Sequence, residues 1–311
     1  MNNKIFTILF ILVSFVISVF GKEVERKIRN QDLKIVAVHL DKPILIDGKL
    51  NEEIWSNSKG TSSFIQRDPV EGADPTQKTT VYIAYDNDAI YVAARMYDTH
   101  PDSITSRLSR RDVDVDTDGF LVYLDPYHDR RSGYYFALSA AGTQYDGVLY
   151  NDSWDDNSWD GVWEGKTNID SEGWTAEMRI PFSQLRFEDR THNIWGVNFK
   201  RIISRRNEND YLVYVPKNES GFVSHFAELK GINNIHPSEN IEILPYVTTK
   251  AEYSLHDPSN PFNDGSRYTP AVGADLKMGL GSNLTLNATI NPDFGQVEID
   301  PAVINLSDVE T

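Results

Sequence analysis

Alternation of apolar and polar side chains identifies a group of strands in residues 116–185. Within residues 174–180, Ala176, Met178 and Ile180 share one face and polar residues share the other, which is the period of a half-buried strand. Three further strand-like runs cover residues 119–125, 134–139 and 161–168. Gly, Pro, Asp and Ser separate the runs, as is usual in turns. The pattern predicts an antiparallel sheet whose long loops hold aromatic residues.

Strand patterns continue on both sides of this region. Residues 80–85 and 89–97 flank an Asp-Asn-Asp turn and predict a β-hairpin. A short helix before them contains Trp55, which we interpret as a core residue. Further strands are predicted at residues 194–204, 211–215 and 225–229.

The pattern changes after residue 240, where strands become long and alternate regularly. They cover residues 241–255, 268–280 and 284–291. Transmembrane β-barrels use strands of about ten residues with this alternation, and an ordinary antiparallel sheet is the alternative. Because bacterial barrels contain about eight strands or more, we expect the protein to continue beyond Thr311.

The N-terminus has the composition of a secretory signal peptide. A short basic start precedes an apolar run at residues 5–20, and Gly21 precedes Lys22. This run is shorter than the roughly 20 residues of a spanning helix, so we predict cleavage of residues 1–21. An uncleaved anchor is the alternative. Residues 22–34 are charged and predict a linker.

Composition narrows the function classes. The formal net charge is −16, which argues against a nucleic-acid partner because phosphate binding needs a basic patch. Hydrophobic residues make up 40% of the chain, enough for a packed core. The chain has no cysteine, so disulfides and thiolate metal sites are excluded.

A charged loop precedes the central strands. Arg107, Arg110 and Arg111 are followed by four aspartates at a spacing of two, from residue 112 to residue 118. That spacing resembles a calcium loop, but the glycine and closing glutamate of an EF-hand are missing. We predict no cofactor and an ion-paired loop, with calcium as the alternative.

Residues 150–163 form the most aromatic loop of the chain. It presents Tyr150, Trp154 and Trp159 among polar residues that include Asn157. Exposed rings beside hydrogen-bonding groups are what flat sugar faces require. We therefore predict a ligand site here. The alternative is that the rings close the end of the β structure or pack on the C-terminal strands.

Catalytic signatures are missing from the sequence. It contains no Gly-x-Ser-x-Gly, no His-Glu-x-x-His and no phosphate-binding glycine loop, and its seven histidines are scattered. Acidic pairs are too numerous for counting to exclude a glycosidase. We predict no catalytic residues, and any enzymatic role would be that of a module attached to a glycoside hydrolase.

Four segments resemble the family 9 carbohydrate-binding module and its relatives. They read LDKPILIDGKLNEEIW, VYIAYDNDAIYVAARMYD, DGFLVYLDP and GWTAEMRIPFSQL, and the resemblance covers residues 35–235. Residues 241–311 resemble the start of the barrel region in a bacterial outer-membrane protein family of unknown function. The resemblance implies an all-β chain, with an antiparallel β-sandwich followed by the first strands of an incomplete outer-membrane β-barrel.

The resemblance also implies a sugar site, which this chain fills with different residues. Sugar-binding members of the family hold the ligand between two loop tryptophans, with a strand glutamate and a strand arginine. Here the first loop reads DVDVDT, and Leu121 and Ala137 stand near the two strand positions. Phe222 stands near the second tryptophan position. We add Phe222, Arg110 and Arg111 to the predicted ligand-binding residues.

These observations predict a non-catalytic carbohydrate-binding module of a bacterial envelope protein, linked to polysaccharide binding or carbohydrate catabolism. Its predicted partners are a glycan or another small ligand and, through the C-terminal strands, the outer membrane. We expect the protein in the periplasm or outer membrane of a Gram-negative bacterium. The alternative is a structural or transport component whose sandwich plugs or gates a barrel.

Overall fold

The structure is a computed structural model that describes residues 33–237, 241–254, 265–280 and 284–292. The chain divides into two compact units, Met1–Pro237 and Ser238–Thr311. The predicted signal peptide, residues 22–32 of the predicted linker and residues 293–311 lie outside the described residues.

Two sheets make up the described part of the first unit, one of nine strands and one of five. The larger sheet contains β1 (Lys34–Val36), β3 (Ile65–Asp68), β6 (Gly119–Asp125), β7 (Gly133–Ser139), β8 (Gln144–Tyr150), β9 (Trp154–Asp156), β12 (His192–Ile203), β13 (Glu208–Tyr211) and β14 (Ala227–Asn233). The smaller sheet contains β2 (Val38–His39), β4 (Thr79–Tyr85), β5 (Ala89–Tyr97), β10 (Glu164–Asp170) and β11 (Gly173–Pro181).

Neighbouring strands in the larger sheet follow the order β1-β14-β12-β6-β7-β8-β9, with β13 joining β12 to β3. The smaller sheet has the order β10-β11-β5-β4-β2. Helix α1 covers Glu53–Asn57, and short 3-10 helices cover Pro101–Ser103, Phe182–Gln184, Ser204–Arg206 and Val223–His225.

The two sheets pack face to face across one apolar core. From β6, Phe120, Val122 and Leu124 point into it, and β11 contributes Trp174 and Met178 among others. The predicted period-2 alternation is the reason, because alternate residues of each strand share a face. An all-β sandwich is therefore confirmed for this unit.

The outer face of β11 is also buried, so this strand is not half-buried as its alternation predicts. Glu177 accepts hydrogen bonds from Trp55 Nε1 (3.0 Å) and from the backbone N–H groups of Asp47 (3.0 Å) and Gly48 (3.1 Å). Trp55 is buried, as predicted. Helix α1 and the turn at residues 47–48 therefore cover the outer face of the smaller sheet, and the Glu177 carboxylate holds both of them in place.

Two strand predictions need correction. Strand β8 was missed because Gly147 interrupts its apolar pattern. Residues 212–215, which the sequence placed in a strand, lie outside one. There the Asn198 side chain replaces strand pairing: its Oδ1 accepts from the Val213 N–H (2.8 Å) and its Nδ2 donates to the Val213 carbonyl (3.0 Å).

The second unit contains an antiparallel sheet of β15 (Ile241–Tyr253), β16 (Ser266–Leu280) and β17 (Leu284–Ile290). The register places apolar side chains of all three strands on one face. Exposed members of that face are Ile241, Ile243, Val247, Tyr253, Tyr268, Val272, Leu286 and Ile290. Among the described residues, no helix has the length and apolar character needed to cross a membrane.

Candidate functional site

A pocket of about 440 Å³ opens on the outer face of the larger sheet. Its floor is formed by the residues of β6, β7 and β8 that alternate with the core residues. The loop at residues 112–117, the edge strand β9 with its flanking residues 153 and 157, and Phe222 form its walls. The lining residues are Asp112, Asp114, Val115, Thr117, Gly119, Leu121, Tyr123, Tyr135, Ala137, Leu138, Ser139, Tyr145, Leu149, Ser153, Asp155, Asn157, Ile202, Tyr211 and Phe222.

Aromatic rings dominate one side of the pocket. The Tyr123 and Phe222 rings lie edge to face with centroids 4.9 Å apart, and Tyr211 meets Phe222 at 6.1 Å in the same manner. Phe226 supports Phe222 from behind at 5.1 Å. Phe222 is thus a half-buried ring held in place by neighbouring rings.

Three tyrosine hydroxyls face the pocket without a hydrogen-bond partner among the described residues. They belong to Tyr123, Tyr135 and Tyr211, and Tyr123 is only 8% exposed. Burial raises the pKa of Tyr123 well above its usual value and that of Tyr211 to about 12, and burial with nearby Asp155 raises the pKa of Tyr135. All three hydroxyls are therefore protonated at neutral pH and can donate to a ligand.

Three carboxylates, those of Asp112, Asp114 and Asp155, line the pocket. No lysine or arginine stands among the described lining residues. Lys200 shares a face with its strand partners Leu121 and Tyr211, with its Nζ 5.6 Å from the centroid of the Tyr211 ring, and burial lowers the pKa of this amine. The polar wall of the pocket is consequently acidic.

Arg111 anchors the first wall loop. Its guanidinium donates to the fully buried carboxylate of Asp146 and to the carbonyl of Gly161 (2.6 Å). Asp146 also accepts from Trp163 Nε1 (2.7 Å) and the Gly161 N–H (2.9 Å). Arg111 therefore positions Asp112 at the pocket while its own charge is engaged behind the wall.

Asp152 anchors the wall that holds Phe222. Its Oδ1 accepts from the backbone N–H groups of Phe222 (3.0 Å) and Ser224 (2.8 Å), and its Oδ2 accepts from Ser224 Oγ (2.9 Å). Burial raises the pKa of Asp152, but these hydrogen bonds outweigh it and lower the pKa below its usual value. Gly221 has φ +89°, and a Cβ there would lie 2.5 Å from Asp152 Oδ2, so only glycine fits.

The structure divides the predicted ligand-binding residues. Asn157 and Phe222 line the pocket. Trp154 is 61% exposed and meets Tyr150 edge to face at 5.7 Å. Because Ser153 and Asp155 face the pocket, the alternation of β9 directs Trp154, together with Tyr150, to the opposite face.

The remaining predicted residues lie outside the pocket lining. Trp159 packs against Tyr134 (5.3 Å) and Phe136 (6.0 Å) at the edge of the core, and Arg110 is exposed. Sequence reasoning missed the tyrosines of β6 and β7, although their alternation with core residues already placed them on the outer face.

Ion pairs engage several aspartates of the charged loop. Arg107 approaches Asp116 at 3.9 Å and Arg111 approaches Asp112 at 3.4 Å, while Asp116 also accepts from Ser204 Oγ. Among the described residues, no group of three or more His, Asp or Glu side chains is arranged to hold a metal ion. The absence of a cofactor stays a prediction from the sequence, with calcium as its alternative.

Comparisons with known families and sequences match two parts of the chain. A model described as carbohydrate family 9 binding domain-like matches residues 46–210, which is more than half of the sequence. A model described as a domain of unknown function, DUF5916, matches residues 237–311. No curated protein sequence matches the chain.

Solved structures are similar to part of this chain. One is a structure from Bacteroides uniformis that is provisionally described as a carbohydrate-binding protein. It is 13% identical with a TM-score of 0.51, covering 64% of this chain and 99% of that one. A family 9 module from Caldicellulosiruptor kristjanssonii in complex with cellotriose is 20% identical with a TM-score of 0.47, covering 65% and 95%. The same module in complex with glucose is 20% identical with a TM-score of 0.46, covering 65% of this chain and 97% of that one.

Proposed function

Because the chain belongs to the carbohydrate family 9 binding domain-like family, we propose that its first unit binds a carbohydrate in the pocket on the outer face of the larger sheet. The observation that supports this most directly is the set of unpaired hydroxyls. The hydroxyls of Tyr123, Tyr135 and Tyr211 face the pocket as hydrogen-bond donors, and no other described side chain accepts from them. A sugar supplies hydroxyl acceptors for them.

Sugar rings also need an apolar surface against which their C–H faces pack. Phe222 and Leu121 supply it, and Asp155 and Asn157 stand at the edge to accept or donate hydrogen bonds. No tryptophan is present among the described lining residues. The proposed site therefore offers less stacking area than the two-tryptophan clamp that the sequence resemblance implies, and we expect correspondingly weaker binding.

Calorimetric titration of the full chain with cellotetraose tests the proposed site. Phe222→Ala should weaken binding about three- to tenfold, since aromatic stacking contributes about 0.5–1.5 kcal/mol beyond area burial. Trp154→Ala is the matched control, because it removes a more exposed ring that lies outside the pocket. If Trp154→Ala weakens binding and Phe222→Ala does not, the aromatic loop with Tyr150 is the site instead.

We further propose that the protein is exported and that its second unit contacts the outer membrane of a Gram-negative bacterium as part of a barrel wall. The apolar face of β15 to β17 supports this. Strand β15 has 13 residues, so at about 3.3 Å per residue and a tilt of about 45° it spans about 30 Å, the thickness of a bilayer's hydrocarbon core.

Membrane fractionation of the chain expressed in a Gram-negative host tests this second proposal. Val247→Lys places a charge on the apolar face, where it costs about 2–4 kcal/mol in lipid, and should deplete the outer-membrane fraction. Thr248→Lys adds the same charge on the opposite face and should not. Equal distributions of the two variants would contradict lipid contact. N-terminal sequencing of the exported protein should begin at about Lys22.

A further inference from the structure

We infer that the pocket selects carbohydrates with a free ammonium group, that is amino sugars, over neutral ones, and rejects acidic ones. This inference rests on the proposed function, because it concerns the ligand class of the same pocket. It follows from the placement of charge, of aromatic rings and of unpaired hydroxyls around one cavity.

The charged residues that line the pocket are all acidic. Asp114 and Asp155 line the pocket, and neither has an ion-pair or hydrogen-bond partner for its carboxylate among the described residues. Arg111 stands 3.4 Å from Asp112, and Lys200 interacts electrostatically with Asp114. Asp155 is therefore the lining carboxylate that is available to a ligand cation, and it would repel a ligand carboxylate.

Nearby basic groups do not reverse this sign. Arg111 is engaged by Asp146 behind the wall, and Lys200, whose Nζ lies 5.6 Å from the centroid of the Tyr211 ring, interacts electrostatically with Asp114. Neither lines the pocket. The −16 net charge of the chain adds a diffuse attraction for cations, but salt screens it within about 10 Å. The local carboxylates are screened less because the pocket is partly enclosed.

The rings and hydroxyls suit an ammonium group as well. Tyrosine and phenylalanine faces attract cations through their quadrupole, and five such rings line this pocket. An ammonium donates three hydrogen bonds and accepts none. It can therefore use Asp155 and the oxygen of a tyrosine, while the neighbouring sugar hydroxyls accept from the other phenols. Tyr123 supplies the buried, unpaired hydroxyl for this purpose.

Three β-1,4-linked tetrasaccharides of equal length separate the possibilities: the glucosamine tetramer, cellotetraose and the glucuronate tetramer. Each is titrated calorimetrically into the full chain at pH 6 and low ionic strength. We expect the glucosamine tetramer to bind about tenfold more tightly than cellotetraose, from ion pairing and cation–π contact together. The glucuronate tetramer should bind more weakly than cellotetraose. The preference should shrink as salt is added.

Asp155→Asn tests the assigned charge without changing the size of the side chain. It should reduce the ratio of glucosamine-tetramer affinity to cellotetraose affinity, both measured on the same variant, to about threefold or less. Asp156→Asn is the matched control: it removes the same charge one residue away on the opposite face of β9 and should leave the preference intact. Asp114→Asn provides a second variant at the pocket.

The outcomes distinguish this inference from the proposed function. If cellotetraose binds and the glucosamine tetramer binds no better, or if the glucuronate tetramer binds best, the charge selection is wrong and carbohydrate binding stands. If Asp155→Asn and Asp156→Asn reduce the preference equally, the effect belongs to net charge and the pocket assignment is wrong. If none of the three binds, both proposals fail.

Discussion

Replacing Gly221 by alanine should damage both the stability of the first unit and its ligand site. Gly221 has φ +89°, and an added Cβ would lie 2.5 Å from Asp152 Oδ2 and 2.6 Å from Ser224 Oγ. Positive φ costs a non-glycine residue about 1–2 kcal/mol. The clash additionally displaces Asp152, whose carboxylate accepts three hydrogen bonds from this loop. Losing charge-assisted bonds of this kind costs about 1.5–3 kcal/mol.

Gly142→Ala is the matched control. Gly142 has nearly the same φ, +85°, but a Cβ there meets only Thr167 Oγ1 at 3.4 Å. It should show the backbone cost alone, about 1–2 kcal/mol. Gly221→Ala should therefore be destabilised by about 2.5–5 kcal/mol and exceed the control by about 1.5–3 kcal/mol.

Urea unfolding followed by tryptophan fluorescence measures these differences for the first unit alone, because all six tryptophans of the chain precede residue 200. Calorimetry with the glucosamine tetramer then reports the site. Phe222 is held by the same loop, so Gly221→Ala should also weaken binding several-fold while Gly142→Ala leaves it unchanged. Equal stability loss and unchanged binding in both variants would refute the role that we assign to the contact between Gly221 and Asp152.

Two further predictions concern buried charges. Burial raises the pKa of Glu177 to about 7, although the hydrogen bonds to its carboxylate lower it. The pKa in the folded state therefore exceeds the unfolded value of about 4.5. Protonated Glu177 contributes about 3 kcal/mol to the free energy of unfolding below pH 4.5, and this contribution is lost as the pH rises to about 7. Glu177→Gln should flatten this part of the pH profile of urea midpoints, and an unchanged profile would contradict it. Arg111→Ala should cost about 1–3 kcal/mol because it leaves Asp146 without its cation, whereas Arg110→Ala should change urea stability by less than about 0.5 kcal/mol; similar losses in both would oppose the anchoring role of Arg111.

The sandwich was predictable because its cause is local and repeated. Alternation along β6 and β11 determines which side chains enter the core, and no distant partner is needed to read it. Strand β8 was not predictable in this way. Gly147 breaks its pattern. Glycine is needed there because residues of the neighbouring strands leave no room for a side chain: a Cβ would lie 2.5 Å from the Asp156 carbonyl oxygen and 2.6 Å from the Tyr135 ring.

The candidate site was only partly predictable for the same reason. In the sequence, Trp154 and Trp159 stand out as aromatic residues within a polar segment. The sequence does not show that Trp154 belongs to an edge strand, or which face of that strand its side chain occupies. One residue of register separates Trp154 from Asp155, which lines the pocket. The sequence predicts Arg111 in an ion-paired loop and among the ligand-binding residues, and only the fold brings the buried Asp146 to it.

The placement of polarity explains how this chain can retain a pocket after losing the residues that the resemblance implies. Leu121 and Ala137, which stand near the strand glutamate and arginine positions, both line the pocket, so its floor is apolar where the resemblance predicts charge. The polar groups lie instead at Asp112 on a surrounding loop, at Asp155 on the edge strand β9, and on the tyrosines. Loops tolerate substitution better than paired strands. Under the proposed function, ligand choice is therefore set at the wall of the pocket, by the negative charge of that wall rather than by a tryptophan clamp.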